Sequence, residues 1–468
     1  MKWLKALWSC GNMIAPSEKL GELPSDREIY GRILKMALPA VLESFLIAMI
    51  SVADTAMVSG HGNEAIDAVG ISGMPRSIAL SVIFSLNVGV TAIISRRRGE
   101  GNRDAAVHCL KQCFLISAGI ALSLTAIAIL FAEPFLLFAG AQTEYIREAV
   151  LYNNITIIGL VFTSLSQTLT AGQRAVGITK ISMWANTTAN LVNLTLNYLL
   201  IDGRFGFPAL GVKGAAIASL TSYFTAFVIP LIYTMGKDRF LTFRYPAPWL
   251  PDKETMRSLV QVSGSTVLEQ VVFCRVGYFL CNKIYASLGV MEYAAHQICS
   301  SLTQFSLLVT DGFGSSAAAL LGQAIGEGRA DKAVIYVKTC RRLAMAGAVA
   351  IAVGFTLFRY PLVRIFTEDG PTADLAAGVM ILSALSFLPQ TYGGVNVTSL
   401  RVAGDTRFVA WISMLIVTVI RPGVGYLLAY PCGLGLVGAW LGALTDQFTR
   451  FVLSTARFNS GKWKKFKL

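Results

Sequence analysis

Long apolar runs that carry no charged side chain are the feature that most constrains this sequence. Residues 113–132 read CFLISAGIALSLTAIAILFA, and residues 408–420 read FVAWISMLIVTVI. Similar runs recur along the whole chain of 468 residues. A helix that crosses a bilayer needs roughly 20 mostly apolar residues, and helices satisfy their own backbone hydrogen bonds in lipid. The pattern therefore predicts an all-α integral membrane protein.

The content of charged residues excludes a water-soluble globule of this size. Only 14% of the residues are charged, whereas soluble domains usually carry about 25%. The first thirty residues lack the basic start and apolar core of a signal peptide, so we expect the first span to direct insertion. We predict twelve transmembrane helices near residues 33–58, 75–95, 110–132, 151–172, 181–201, 212–235, 263–286, 296–322, 341–358, 376–400, 408–429 and 435–455.

The net charge of +13 is distributed unevenly, which argues against a nucleic-acid partner. With twelve spans, most of the 40 Lys and Arg residues fall in the two termini and the even-numbered loops, on one side of the membrane. Segments rich in Lys and Arg remain in the cytoplasm. We therefore predict a multi-pass protein of the cell (plasma or inner) membrane with both termini in the cytoplasm.

Two halves of the sequence repeat each other. GEGNRDAAV at 99–107 matches GEGRADKAV at 326–334, and RAVGITK at 174–180 matches RVAGDTR at 401–407. Six spans in each half give both halves the same orientation, and paired bundles of this kind enclose a central cavity. We predict a cytoplasmic N-terminal segment at 1–32, followed by a six-helix lobe at 33–235. A cytoplasmic linker with a short amphipathic helix at 236–262 leads to a second six-helix lobe at 263–457 and a basic tail at 458–468.

Acidic residues within the predicted spans are the first candidates for function, because placing them in hydrocarbon costs about 2.5–3.5 kcal/mol each. Glu43 and Asp54 lie eleven residues apart in the first span and therefore share one helix face. Pro39 lies a turn before Glu43 and is expected to kink the helix. An acid on such a helix suits bending driven by protonation. The alternatives are that Asp54 caps the outer end of the span and that Glu43 lies at the cytoplasmic interface.

Two asparagines in the fifth span extend this polar face. Asn193 and Asn197 are four residues apart, so they lie on the same side of the helix. Together with Asp54 they are expected to form a polar pocket in the N-terminal half. The alternative is that they only hydrogen-bond neighbouring helices.

The C-terminal half carries its own set of ionisable residues. Glu269 occupies the repeat position of Glu43. Arg275 and Asp311 are expected to pair, which leaves Glu269 as a free carboxylate able to bind a cation or a proton. Gln390, in the tenth span, is a candidate oxygen ligand, and Arg421 is a candidate to lock this half. The aromatic residues expected to line the pocket are Phe305, Phe387, Tyr392 and Trp440.

Several classes of function are disfavoured. The eight cysteines include no CxxC pair and suggest neither disulfides nor a metal site. The sequence contains no GxxxxGK[ST] phosphate loop, which disfavours an ATP-driven pump. His296 is alone in its span and no HExxH motif occurs, so we expect a transporter rather than an enzyme. A duplicated scaffold and an open channel remain alternatives, although buried acids suit a gated cavity better.

Taken in order, several segments resemble the MATE (multidrug and toxic compound extrusion) family over nearly the whole chain. They are LPAVLESFLIAMISVADTAMVSG, NLTLNYLLIDGRFGFPALGVKGAA, YAAHQI, DGFGSSAAALLGQAIGEGRADKA and SLRVAGDTR. The resemblance implies a V-shaped pair of six-helix lobes with alternating access. It also implies export of cationic, often aromatic compounds in exchange for inward Na⁺ or H⁺.

The resemblance also assigns roles to individual residues. The family's first-span aspartate matches Asp54, its fifth-span polar pair matches Asn193 and Asn197, and its seventh-span glutamate matches Glu269. Some Na⁺-coupled members have a tenth-span aspartate where Gln390 stands here, which puts a sodium site in the C-terminal half in doubt.

We therefore predict a drug:cation antiporter that couples to H⁺ or Na⁺ and needs no cofactor or catalytic residue. A sodium ion would bind at Asp54 or Glu269. Its partners are a small organic substrate, a monovalent cation and the lipid bilayer, and we expect a monomer. A flippase for lipid-linked oligosaccharides, the activity of a related branch, is the alternative.

Overall fold

The computed structural model describes residues 9–59, 63–143, 145–201, 203–250 and 252–466. All regular secondary structure in these residues is helical, so the all-α part of the predicted fold is confirmed. The long helices of the first half are α1 (Asp26–Ser59), α2 (Asn63–Gly99), α3 (Arg103–Leu130), α4 (Ile146–Ala175), α5 (Lys180–Leu200) and α6 (Val212–Thr234).

The second half repeats this arrangement of long helices. Its first helix, α7, joins Lys253–Val267, Leu268–Phe273 and Cys274–Leu288. It is followed by α8 (Val290–Gly326), α9 (Ala330–Leu357), α10 (Gly370–Val402), α11 (Thr406–Ala429) and α12 (Gly435–Asn459). Short helices at Ala132–Phe138 and Arg359–Arg364 follow α3 and α9.

Every predicted span overlaps one of these helices, but several helices extend beyond the apolar segment. α8, for example, runs from Val290 to Gly326, whereas the apolar pattern covers 296–322. Polar caps explain some of these ends: Asn102 accepts a hydrogen bond from the backbone N–H of Ala105 at the start of α3. Within the described residues, eight helices are long and apolar enough to cross a membrane, which is typical of a multi-pass membrane protein.

Two helices that contact each other, α7 and α11, each contain a wider, π-helical turn. These turns span Leu268–Phe273 in α7 and Met414–Ile420 in α11. Thr418 donates a hydrogen bond of 3.1 Å to the carbonyl oxygen of Phe273. Such turns are rare inside α-helices and occur frequently at functional sites. Here the turn in α7 begins one residue before Glu269.

The chain packs as two compact units. One comprises Leu42–Leu259, and the other comprises Met1–Val41 together with Val260–Leu468. In the first unit, α2, α3 and α4 share an apolar core that includes Ile94, Leu110 and Leu169. In the second, α8 and α10 pack around Leu302 and Met380.

The N-terminal segment and the beginning of α1 belong to the second unit. Arg32 donates a hydrogen bond of 2.7 Å to Gln323 of α8. The backbone N–H of Leu20 donates to Asp331 of α9 at 3.1 Å. The units thus differ from a division in chain order, because the first turns of α1 pack against helices roughly 300 residues away in sequence.

The linker after α6 is held on the first unit by Asp252. Its carboxylate accepts hydrogen bonds from His108 at 2.9 Å and from Gln112 at 2.8 Å. Partial burial opposes ionisation of Asp252, but hydrogen bonds from Thr255, Gln112 and His108 outweigh it and hold the pKa of this carboxyl below its ordinary value. The amphipathic helix expected inside the linker is not separate, because it forms the beginning of α7 at Lys253.

Candidate functional site

In the first unit, Glu43 of α1 lies in a buried hydrogen-bonded cluster. Its Oε1 accepts from Ser182 at 2.7 Å and from Asn186 at 2.5 Å, both on α5. The guanidinium of Arg174 lies 3.9 Å from the same oxygen and donates to Ser182 at 3.0 Å. Glu43 is only 7% exposed, and its second oxygen has no hydrogen-bond partner among the described residues.

A stripe of polar residues follows one face of α5. Asn197 donates a hydrogen bond of 3.1 Å to Asn193, and both side chains are buried. Ser182, Asn186 and Asn190 continue the stripe toward the beginning of the helix, at spacings of three or four residues that keep one face. Sequence reasoning singled out only Asn193 and Asn197, although the same periodicity identifies the other three.

The structure describes Pro39 of α1 but not the side chain of Asp54. Pro39 lies inside the helix, which continues through it to Ser59. Asp54 lies on the same helix, but its side chain is outside the part of the chain that the structure describes. The expected pocket of Asp54 with Asn193 and Asn197 therefore stays a prediction.

In the second unit, Glu269 is tightly paired. Arg401 of α10 donates to it twice, through Nη2 at 2.6 Å and Nε at 3.3 Å. Ser413 of α11 adds a hydrogen bond of 2.7 Å, and Glu269 is 1% exposed. The expectation that Glu269 is a free carboxylate is wrong, because a buried carboxylate is stabilised by a bidentate guanidinium and Arg401 is in reach to supply one.

The two glutamates have matching surroundings, which extends the sequence repeat into three dimensions. In each case the acid comes from the first helix of its half, the arginine from the end of the fourth, and a polar donor from the fifth. The matched pairs are Glu43 and Glu269, Arg174 and Arg401, and Asn186 and Ser413. The shortest contact between acid and arginine is 3.9 Å in the first half and 2.6 Å in the second, so the second pair is much the tighter.

A second buried charge cluster adjoins Glu269. Asp446 of α12, 0% exposed, lies 3.3 Å from both Arg421 and Arg450. Arg450 also donates to Ser413 at 3.2 Å, which connects the two clusters. Arg421 was expected to lock this half, and its ion pair with Asp446 is such a contact. Asp446 was not singled out from the sequence, although it is an acidic residue inside the predicted span 435–455 and the same insertion cost applies to it.

The predicted ion pair between Arg275 and Asp311 stays a prediction. Arg275 lies exposed on α7, and Asp311 lies exposed on α8. Gln390 of α10 accepts a hydrogen bond of 3.3 Å from Ser306 of α8. This contact leaves its amide nitrogen for other partners.

A cavity of about 480 Å³ lies within the second unit, between α7, α8, α10, α11 and α12. Its walls combine aromatic rings with side-chain amides, and Arg421 is the one charged lining residue among those described. The aromatic residues are Tyr278, Tyr285, His296 and Trp440, and the amides include Gln297, Gln304, Gln390 and Gln447. Of the aromatic residues expected to line a pocket, Trp440 lines this one, whereas Phe387 is fully buried against Phe355.

Several polar groups in this cavity wall are not used by the protein itself. Within the described residues, Nδ1 of His296, Nε1 of Trp440 and Nε of Arg421 are buried without a hydrogen-bond partner. The ring of His296 stacks on Tyr285 with 3.7 Å between centroids. Rigid aromatic walls with a few unsatisfied polar groups are typical of sites for small organic ligands.

Comparison with known proteins agrees with this geometry. The MatE family model matches residues 39–199 and again residues 268–427, one match in each half. A probable multidrug resistance protein NorM of Thermotoga maritima is 28% identical over 442 residues, covering 94% of each chain. The multidrug resistance protein MdtK of Pectobacterium atrosepticum is 23% identical over 432 residues, covering 91% of this chain and 94% of its own.

Solved structures share the same fold. The crystal structure of a mutant of the Vibrio cholerae MATE transporter VcmN superposes with a TM-score of 0.85 at 18% identity, over 93% of this chain and 98% of that chain. A MOP superfamily transporter from Pyrococcus furiosus gives a TM-score of 0.85 at 19% identity, over 93% and 96%. Since the family model covers most of both halves, the chain belongs to the MatE family of multidrug efflux transporters and is not an enzyme.

Proposed function

We propose that this protein is a secondary antiporter that exports small organic molecules, cationic or aromatic, in exchange for inward H⁺ or Na⁺. Its helices would form twelve membrane spans in two six-helix bundles. Membership of the MatE family supports transport, and the cavity of about 480 Å³ in the second unit is the observation that carries a substrate site.

The first half is the better location for the coupling ion. Glu269 already accepts two hydrogen bonds from Arg401, so a cation at this carboxylate would have to displace a guanidinium. Glu43, in contrast, keeps a buried oxygen without a partner among the described residues. The buried amides of Asn193 and Asn197 lie in the same unit as Glu43. We place the proton or sodium ion in this half, at Asp54 with Asn193 and Asn197, and keep Glu43 and Glu269 as secondary candidates.

The energetics of such coupling are sufficient for export. One positive charge that moves inward releases about 2.3 kcal/mol per 100 mV of membrane potential. At about 1.4 kcal/mol per tenfold ratio, this sustains a gradient of nearly fiftyfold for an uncharged substrate. Export of a monovalent cation in a one-for-one exchange moves no net charge and would be driven by the concentration gradient of the coupling ion. The ion must bind one conformation better than the other, because a ligand with equal affinity for both shifts nothing.

The topology and assembly follow from the same proposal. Twelve spans would place both termini on the same side of a cell membrane. The basic residues of the N- and C-terminal segments would make that side the cytoplasmic one. We propose that the protein functions as a monomer. A flippase for lipid-linked sugars would need a strongly cationic cavity, whereas Arg421 is the one charged residue seen to line this one.

Efflux of ethidium from cells that express the protein tests the proposal. Wild type, Asp54→Asn, Glu269→Gln and the exposed control Glu327→Gln would be compared at equal expression, with pH and Na⁺ varied separately. We expect Asp54→Asn to abolish efflux and Glu327→Gln to retain it.

The ion dependence decides the coupling. Stimulation by a pH gradient alone identifies H⁺, and stimulation by Na⁺ alone identifies Na⁺. Normal efflux by Asp54→Asn would contradict the placement in the first half. Absence of efflux of any organic cation by the wild type under either gradient would contradict the export function.

A further inference from the structure

A second cavity, of about 430 Å³, lies at the ends of helices α9 and α12 in the second unit, away from the cavity described above. Four cationic side chains line it: Lys338, Arg341, Arg342 and Lys464. Glu18 is the one acidic lining residue among those described. Four positive charges against one negative charge give the cavity a strong preference for an anion.

Arg341 is the buried centre of this cationic cavity. It is 2% exposed, and its guanidinium lies over the rings of Tyr392 and Phe458 at 4.8 and 5.0 Å from their centroids. One Nη donates to Asn396 at 3.0 Å. Nε is buried and has no hydrogen-bond partner within the described residues. Among the residues that the structure describes, the charge of Arg341 therefore has neither a carboxylate nor a full set of acceptors.

The other cations around Arg341 come from α9 and from the C-terminal turn, and the N-terminal segment contacts both. Lys338 comes from α9 and donates to the backbone oxygen of Met13 at 2.6 Å. Lys464 comes from the C-terminal turn and lies 3.8 Å from Glu18 of the N-terminal segment. An anion bound here would contact the N-terminal segment, α9 and the C-terminal turn together.

We propose that this cationic cavity binds a phosphate group, either the phosphodiester of an anionic lipid headgroup or a soluble phosphate. A phosphate presents several acceptor oxygens, which suit a guanidinium fork and mobile lysine ammonium groups. In the proposed topology the cavity faces the cytoplasm, where basic pockets between membrane helices meet anionic lipids. Binding would relieve the repulsion among the cations and hold both terminal segments on the second unit.

The test measures binding to the purified full-length protein in a neutral detergent. Dioleoyl phosphatidylglycerol, dioleoyl phosphatidylcholine and inorganic pyrophosphate would each be titrated, with thermal stability and native mass spectrometry as readouts. We expect phosphatidylglycerol or pyrophosphate to bind and to raise the melting temperature, with phosphatidylcholine without effect. Preference for the lipid identifies a headgroup site, and preference for pyrophosphate identifies a soluble ligand.

Variants locate the binding site. Lys464→Gln is expected to weaken binding by about tenfold, the loss of one charge-assisted hydrogen bond. Arg341→Lys keeps the charge but removes the fork and should weaken binding similarly. Lys465→Gln, next to Lys464 but outside the cavity lining, is the matched control. If Arg341→Lys fails to fold, the pair Lys338→Gln and Lys464→Gln supplies the answer.

Two results would overturn the proposal. One is absence of binding by both anionic probes. The other is an affinity that Lys464→Gln and Lys465→Gln reduce equally, because this would indicate adsorption to the basic tail rather than a site. Ethidium efflux is measured separately, so failure of phosphate binding and failure of the export function are distinguishable.

Discussion

Neutralising Glu269 should destabilise the protein strongly, and removing Arg401 together with it should restore most of the loss. The two side chains share contacts of 2.6 and 3.3 Å, and Glu269 is 1% exposed while Arg401 is 8% exposed. Removing one partner of such a buried pair leaves an uncompensated charge and costs about 3–5 kcal/mol. The double variant Glu269→Gln/Arg401→Gln removes both charges of the pair, and its two amides can hydrogen-bond each other.

The assay is equilibrium unfolding by sodium dodecyl sulfate in mixed micelles, with wild type, both single variants and the double variant. We expect each single variant to lose about 3–5 kcal/mol of unfolding free energy, and the double variant to lose clearly less than either. Ethidium efflux of the double variant then separates two roles. Recovered efflux means that the pair is structural, whereas stable but inactive protein means that the pair takes part in transport.

A single result would refute the reasoning about the pair. If Glu269→Gln unfolds at the same detergent fraction as wild type, the carboxylate does not compensate Arg401 in the folded protein. Equal and additive losses in the double variant would lead to the same conclusion, because residues that interact directly give non-additive effects.

Three further predictions concern packing, pH and the cavity in the second unit. A Cβ added at Gly277 would overlap the carbonyl oxygen of Val417, so Gly277→Ala should destabilise the protein by about 1–3 kcal/mol. The control Gly354→Ala has open space around the added Cβ and should not destabilise it. Melting temperatures of the two variants and the wild type test this. The pKa of Asp252 is lowered in the folded state. The wild type should therefore be more stable than Asp252→Asn by its full margin above about pH 4, the pKa of an Asp in the unfolded chain, and this margin should vanish as the pH falls through the lower pKa of the folded state. A loss of the margin that began near neutral pH would contradict this. Trp440→Phe removes the unpartnered indole N–H but keeps an aromatic ring, so binding of rhodamine 6G, followed by anisotropy, should weaken about fivefold, and an unchanged affinity would show that this nitrogen does not contact the dye.

The spans and the duplication could be predicted because both are properties of consecutive residues. Each apolar run is long enough to require a helix in lipid, and segments such as GEGNRDAAV and GEGRADKAV show the repeat directly. Helix ends were less predictable, since α8 extends beyond its apolar segment. The face shared by Asn193 and Asn197 was also readable, because helical periodicity alone places side chains four residues apart together.

What the sequence could not provide was the identity of distant partners. Glu269 reads as a free acid until Arg401, more than 130 residues later, is placed beside it by the packing of α7 against α10 and α11. The aromatic cavity likewise brings residues from five helices into one wall. Local periodicity fixes which side of a helix a residue occupies, whereas the crossing of helices decides which charges meet. For this protein the sequence by itself therefore determined the membrane-spanning architecture and the family, and only the tertiary structure decided which of its buried acids are already neutralised.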